Sequence, residues 1–481
     1  MKYPAIVFLV IVSVSIALLP ACGDKYENYT SSPNDVLSFS HDTLSFDTLF
    51  SGVGSTTMAF MVYNHHDKPL LIRSVHLSGA GNSGFRINVD GFSGTSFYDV
   101  EIRSKDSMYV FVETTPKENN ANTPLIQMDS ILFLTNGITQ KVILKAYGQD
   151  VYILKGGSYI ETDSVLPNNK PYLIYDSLVV RENVRLTIPE GVTLYMHDDA
   201  EIDIYGTLKI EGLLSHPVTI RGDKPTTTAG VSYDRLPGQW AGIYFAPESF
   251  DNEIDHAHIR NGKRGLVFDT STPDRSKLKL SNSVLTNVYY DLFSAENCHI
   301  EASNCEFSNA GGALVYLNGG KYRFTHCTLA NYFVWSVRSL AAVCLQNYRM
   351  QDSDTVPLPL EQADFLNCII YGHKASEIEL YPGAKQAGNA LNYRLDYCLL
   401  KLEDNKFDNT HIYNYILNRD PLFRQTDDRE GYIFDFRLKE NSPAVNKGDS
   451  RYSVLYPLDL DGMPRPEEEA DLGAYEYSGN Q

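Results

Sequence analysis

The chain of 481 residues carries 41 Lys and Arg against 60 Asp and Glu, a formal net charge of −19. So acidic a balance argues against any partner that is held through a basic field, which sets aside nucleic acid and anionic lipid surfaces. The length allows more than one core, and 32 tyrosines with 22 phenylalanines supply abundant aromatic material for packing or for contact.

The N-terminus, MKYPAIVFLVIVSVSIALLPACGDKYEN, places Lys2 ahead of a long apolar run that ends at Cys22. That pattern is an export signal, outside the fold. The structural alternative is an uncleaved transmembrane helix, since about 18 apolar residues can span a bilayer. Leu19, Pro20, Ala21 and Cys22 resemble a bacterial lipobox. The resemblance implies a signal peptide over 1–21 and a diacylglyceryl group on the Cys22 thiol, a membrane partner held stably once two or more acyl chains are present. Residues 22–34 are polar and read as a flexible tether. Within it Asp24 and Glu27 resemble the acidic surface-export signals of Bacteroidetes lipoproteins. The expected location is therefore the cell envelope, as an outer-membrane lipoprotein exposed at the surface.

From 35 to 151 the segments LSFSHDTLSFDTLF, TTMAFMVYNHHDKPLLIRSVHL, SMYVFVETTP, DSILFLTNG and QKVILKAYGQD alternate apolar and polar residues between turn signals. Short strands at this spacing predict a β-sandwich. The succession SGVGSTTMAFMVYNHHDKPLLI, SGFRIN and LKAYGQD resembles the immunoglobulin-like domains that precede repeat domains in bacterial surface lipoproteins. His65 and His66 lie in the turn signal YNHHDKP and read as turn residues rather than ligands.

From 157 to 419 the alternation continues with different punctuation, as in YLIYDSLVVRENVRLTIPEGVTLYMHDDAEIDIYGTLKIEG. Downstream one phrase recurs: DHAHIRN around Ala257, SNSVLTN around Ser283, SNCEFSN around Cys305, THCTLAN around Cys327 and LNCIIYG around Cys368. Successive intervals are 26, 22, 22 and 41 residues, the last read as about two turns of the repeat with an insertion. A period in the twenties marks a solenoid. The small and apolar residues of each phrase stand two apart, so they share one face of a strand. Cysteine there fills a position that Ala and Ser also fill, which predicts an interior ladder of small side chains. A metal site would need several convergent ligands, and only His326 and Cys327 pair those residue types. A disulfide between stacked rungs stays open but is not demanded. The asparagines at 261, 287, 309 and 331 fall at one corner, where stacked amides can bond along the axis and tolerate left-handed backbone.

These phrases, with HPVTIRGD and LPGQWAGIYF, resemble a right-handed parallel β-helix of the pectate-lyase-like kind. DPLF, FDFRLKENSPAVNKGD and DLDGMPRPEEEADLGAYEY resemble the closing segment of secreted bacterial β-helix proteins, which implies that 420–477 caps the last coil. The fold expected is all-β: an N-terminal β-sandwich followed by a right-handed parallel β-helix with a C-terminal cap.

Such folds host many activities, so function must come from a site. Polysaccharide cleavage, by a lyase or a glycoside hydrolase, would use a carboxylate pair or a basic residue beside a calcium cluster. The charged residues Asp251, Glu253, Asp255, His258, Arg260, Lys263 and Arg264 lie close in sequence but suit a solvated outer face equally well. DLDG at 459–462 is similar to the start of a calcium loop, yet the twelfth position would be Ala470. No catalytic residue or cofactor emerges, with Ca²⁺ the one ion worth testing. A binding module for a polysaccharide or a surface protein is the leading reading, because tyrosine offers a flat apolar face with a hydroxyl. Tyr289, Tyr290, Tyr332, Trp335 and Tyr348 are the candidate surface, and the insertion over 339–362 the candidate contact loop. A structural stalk or protein adhesin is the third reading.

Overall fold

The computed structural model describes residues 29–479, apart from 121, 225–226, 229–230, 353, 384–387, 404–408 and 427–431. Cys22, the signal peptide and most of the tether lie outside the described residues. The rest forms two compact units, one ending at Gly148 and including 125–148, the other comprising 119–124 and 149 onward.

The first unit is built of two five-stranded sheets. One carries, in order, Ser38–Phe39, Met58–Tyr63, Ser107–Thr114, Phe85–Val89 and Phe92–Gly94, each antiparallel to its neighbour. The other carries Thr43–Phe50, Ile138–Gln149, Leu125–Thr135, Leu70–Leu77 and Ser96–Ile102. Alternation along each strand sends one row inward. Phe60, Val62, Ile87 and Val110 from the first sheet meet Leu44, Ile72, Phe133 and Leu144 from the second in one buried core. Each such side chain contributes roughly 1.5–3 kcal/mol by leaving water. This matches the sandwich expected from the period-two pattern. His66 is a turn residue tied down by its ring, with Nε2 3.0 Å from the Val36 carbonyl.

The second unit is a β-helix-like coil. Among the described residues, strands of eleven, nine and ten members stack into three parallel sheets, and the chain visits each in turn. The run Ala257–Arg260, Val284–Val288, Glu306–Ala310, Thr328–Asn331, Ile369–Gly372 and Leu399–Leu400 belongs to the eleven-strand sheet. Inward residues form one continuous core from Leu166 to Ile412. The predicted small-residue ladder is part of it: Ala257, Cys305, Cys327, Cys368 and Cys398 are buried, and all six described cysteines are free thiols. The interval from Cys327 to Cys368 is a single coil rather than two. Its extra length is a crossing loop over 332–342 and an antiparallel hairpin of Tyr348–Gln351 with Asp354–Pro357, on either side of the coil strand Val343–Gln346.

Corners are set by left-handed residues. Immediately before each small rung stand His256, Asn282, Asn304, His326, Asn367 and Tyr397, and Asn414 takes the corresponding place in the next coil, all with φ between 46° and 57°. Asn pays least for this conformation among non-glycine residues because its short amide can bond locally. Here those bonds run along the axis: Asn304 donates to Asn282 Oδ1 at 2.9 Å and Asn367 Nδ2 to His326 Nε2 at 3.0 Å. His326 is thus a corner rung beside an interior thiol, not half of a ligand pair. The corner predicted from 261, 287, 309 and 331 is also present, with Asn287 donating to Asn261 Oδ1 at 3.3 Å. Asn331 departs from it and clamps the Ala310 N–H and C=O instead.

On the ten-strand sheet one outward position alternates in sign through seven coils: Lys209, Glu253, Lys279, Glu301, Arg323, Asp364, Arg394. Opposite charges directly across parallel strands support this register.

The C-terminal segment does not simply close the end of the coil, as expected for 420–477. It runs along the outward face of the eleven-strand sheet. Phe423, Phe436, Leu438, Leu460 and Leu472 bury Ala330, Ile369 and Leu399 there, with Ile416 packed alongside. Polar bonds from the segment reach four successive coils: Arg465 donates to Asn304 Oδ1 (2.7 Å), Ala474 N–H to Thr328 Oγ1 (2.9 Å), Gly473 N–H to the Asn367 carbonyl (2.8 Å) and Tyr452 Oη to Asp396 Oδ2 (2.7 Å). The cause lies in the sheet. Its outward face carries an apolar row of Ala330, Ile369, Leu399 and Ile416, and an apolar row of that length must be covered.

Candidate functional site

Where the covering segment ends, the outward face of the eleven-strand sheet is left as the floor of a groove. His258 and Arg260 come from one coil, Val284 and Thr286 from the next, Glu306 and Ser308 from a third. These alternate with the inward Ile259, Leu285 and Phe307, which fix their direction. One wall is the C-terminal segment with Phe434, Arg437, Asp461 and Tyr475; the other is formed by Leu214, Pro217 and Asp234. The central cavity is about 550 Å³, and it continues into one of about 280 Å³ bounded by Trp335 and Tyr432. Those two rings stack with centroids 4.1 Å apart and planes 25° apart. The loop that carries Trp335 is fastened by a buried bidentate ion pair, Arg338 Nη1 and Nη2 to Glu377 Oε1 and Oε2 at 2.8 and 2.7 Å. Glu377 also accepts the N–H groups of Ala342 and Lys374.

The carboxylates of Asp234 and Asp461 at the groove are engaged with arginines. Asp234 holds both Arg260 (2.9 Å) and Arg221 (3.0 Å), and Asp461 holds Arg437 through two bonds of 2.6 and 2.7 Å. Arg260 Nε is left without an acceptor among the described residues. Burial, then the nearby Arg260 and His256 charges, press His258 below the ordinary imidazole value, so it presents a neutral ring at pH 7. Burial pushes the Glu306 carboxyl up, although Tyr475 Oη donates to it at 2.5 Å and Ser308 Oγ at 2.7 Å. With both its oxygens engaged and only 8 % of it exposed, Glu306 anchors the wall more than it meets a ligand.

The predicted surface residues divide. Trp335 ends the groove, and Tyr289 and Tyr290, at 43 % and 52 % exposure, line a neighbouring cavity of about 290 Å³ with Ser336 and Val337 of the same loop. Tyr332 is corrected: it is 6 % exposed and stacked beneath the C-terminal segment on Phe436, so it is core. Tyr348 opens the hairpin that joins the nine-strand and ten-strand sheets, packed on Gly383 and away from the groove; of the 339–362 insertion, Ser339 and Leu340 instead line the cavity of Tyr289 and Tyr290. The charged run from Asp251 to Arg264 is parted by the left-handed turn at His256: Glu253 and Asp255 face out from the ten-strand sheet, His258 and Arg260 from the eleven-strand sheet. Asp459 of DLDG accepts the N–H groups of Asp461, Met463 and Glu476 and so organises a turn. Sequence reasoning missed Asp234, Tyr432, Arg437, Asp461 and Tyr475, because their partners lie up to 169 residues away.

No protein-family model matches the chain, and no curated protein does. Among solved structures it is similar to the catalytic domain of a GH87 alpha-1,3-glucanase, at 9% identity over 75% of this chain and 87% of that one with a TM-score of 0.19. A family 123 glycoside hydrolase from Clostridium perfringens matches at 9% identity over 25% of this chain and 30% of that one, TM-score 0.18. The YadV chaperone matches at 13% identity over 23% and 50%, TM-score 0.16. The chain thus spans 30% and 50% of the lengths of these last two. Superpositions this loose carry no argument, and the groove is read from its own residues.

Proposed function

We propose that the protein is a lipid-anchored cell-envelope protein that binds an extended, uncharged glycan in the groove across its β-helix. The observation that carries this is the Trp335–Tyr432 stack at the end of a cavity whose Asp234 and Asp461 are already held by arginines. A flat aromatic face suits the C–H face of a sugar ring, and the remaining donors, Arg260 and His258, suit hydroxyls. A strongly charged ligand would have to displace Asp234 or Asp461 from its arginine. In the same reading the coil is right-handed, the usual hand of parallel crossovers, the first unit is immunoglobulin-like, the C-terminal segment does the work of a cap from the side, and Cys22 carries the lipid.

The test is a polysaccharide array probed with the full-length chain in detergent, beside an Arg260→Ala/Trp335→Ala variant. The reading expects signal for one neutral glycan family that drops about tenfold or more in the variant. Equal signal from both proteins refutes it. Release of new reducing or unsaturated ends from the bound glycan would replace binding by cleavage. Loss of metabolic acyl labelling in Cys22→Ser tests the anchor.

A further inference from the structure

The first unit has a cavity of its own, about 730 Å³, on the outward face of its first sheet. Its floor includes Phe111, Asn88 and Ser93, successive cross-strand partners on three strands. Tyr109, next along the same face, stacks on Phe111 with ring centroids 5.8 Å and planes 24° apart, and Phe111 and Tyr109 are 41 % and 52 % exposed. Two large aromatic rings on a solvent face are costly to leave uncovered. Beside them runs a polar row in which Glu113 pairs with Arg86 at 3.6 Å and accepts from Thr57 Oγ1 at 2.6 Å. Asn88 donates to Ser93 Oγ at 3.1 Å, while its Oδ1 is enclosed and receives no donor. The far wall is the edge strand Phe92–Gly94, which turns on Gly91 at φ 86°.

We propose that this cavity is a second carbohydrate site, independent of the groove. Phe111, with Tyr109 stacked on it, offers an apolar face for one sugar ring, and Asn88, Ser93 and Thr57 set polar groups beside it. The Arg86–Glu113 pair presents a donor and an acceptor side by side with no net charge. An ionic ligand would meet a neutral rim, and a purely apolar peptide would strand the polar row unsatisfied, at about 1–3 kcal/mol for each buried group. A neutral polyhydroxyl ligand satisfies both rows.

The probe is an array of neutral glucans, mannans, xylans and galactans, read with four full-length proteins: wild type, the groove variant Arg260→Ala/Trp335→Ala, the platform variant Asn88→Ala/Phe111→Leu, and their combination. Melting curves establish that each is folded, and Tyr109→Ser serves as the second platform variant should Phe111→Leu fail. The expected result is signal that survives in the groove variant and falls about tenfold or more when the platform changes are added. A groove variant that is already blank refutes the platform site and leaves the groove standing. Signal lost with the platform alone and untouched by the groove changes upholds the platform and refutes the groove. A blank array from folded wild type refutes both, and platform variants that bind as the wild type does refute this proposal alone.

Discussion

Acid should loosen the C-terminal segment through His326. Asn367 Oδ1 accepts the Asp449 N–H at 2.9 Å while its Nδ2 donates to the Asp449 carbonyl at 3.0 Å, so its amide orientation is fixed by backbone. Its Nδ2 also lies 3.0 Å from His326 Nε2 and 3.2 Å from Ser453 Oγ, Ser453 Oγ is 2.9 Å from Nε2, and Nδ1 is 3.3 Å from the Gly473 carbonyl. No carboxylate is among these partners, so the enclosed ring is favoured in its neutral form. Burial, reinforced by the Arg465 charge, holds this imidazole well below its ordinary 6.5. The unfolded chain then binds the proton that the native one refuses, so the contribution is complete above pH 6.5 and is lost as pH falls. Each pH unit below that value costs about 1.4 kcal/mol, or about 2 kcal/mol at pH 5. Glu476, raised to about 7 by burial, and Asp459 and Asp471, also raised by burial, act in the opposite direction. A difference measurement removes them. His326→Asn places the residue of the neighbouring rungs at this corner, at a cost of about 1–2 kcal/mol at neutral pH from the lost ring contacts. The protection factors of 442–475, which are exchange rates corrected for the intrinsic slowing of amide exchange in acid, should fall between pH 7 and pH 5 in wild type far more than in the variant. A parallel fall in the two would refute the assignment of the neutral ring.

Arg338→Met leaves Glu377 buried without its cation and should cost about 3–5 kcal/mol, with Trp335 fluorescence shifting as its loop loosens; Arg338→Met/Glu377→Gln should recover much of the loss. Cys327→Ala should lower stability by about 1–2 kcal/mol, and the six described thiols should react with a thiol reagent in denaturant but not in the folded protein, where all are buried. Burial lowers Lys277 to about 8, so its charged form is disfavoured in the native state. Thermal stability of wild type should therefore rise from about pH 8 toward pH 10 relative to Lys277→Met, and parallel profiles would count against it.

Strand alternation and the small-apolar pair were legible because both depend only on neighbours two residues apart. The rung before each small residue was present in every phrase, as His256, Asn282, Asn304, His326 and Asn367. Its chemical variety hid a position defined by backbone conformation. The side cover was visible in outline too: CIIY and CLLK break the alternation, and an apolar outward residue in a solenoid strand signals burial on both faces. What no local pattern carries is where that cover stops, and the stop makes the groove. Glu306 and Thr286 sit at ordinary outward positions, and only the distant Arg437, Asp461 and Tyr475 turn them into an enclosed site.

Solenoids ordinarily evolve by gaining or losing one coil at a time, since each repeat is a self-similar module. The column from Lys209 to Arg394 works against that here, by about 0.2–1 kcal/mol for each like-charge pair set directly opposite. Deleting one coil anywhere within it would bring two like charges face to face, whereas deleting two restores the alternation. Along this stretch the coils behave as dimeric units of inheritance, and related chains of different length should differ by even numbers of turns.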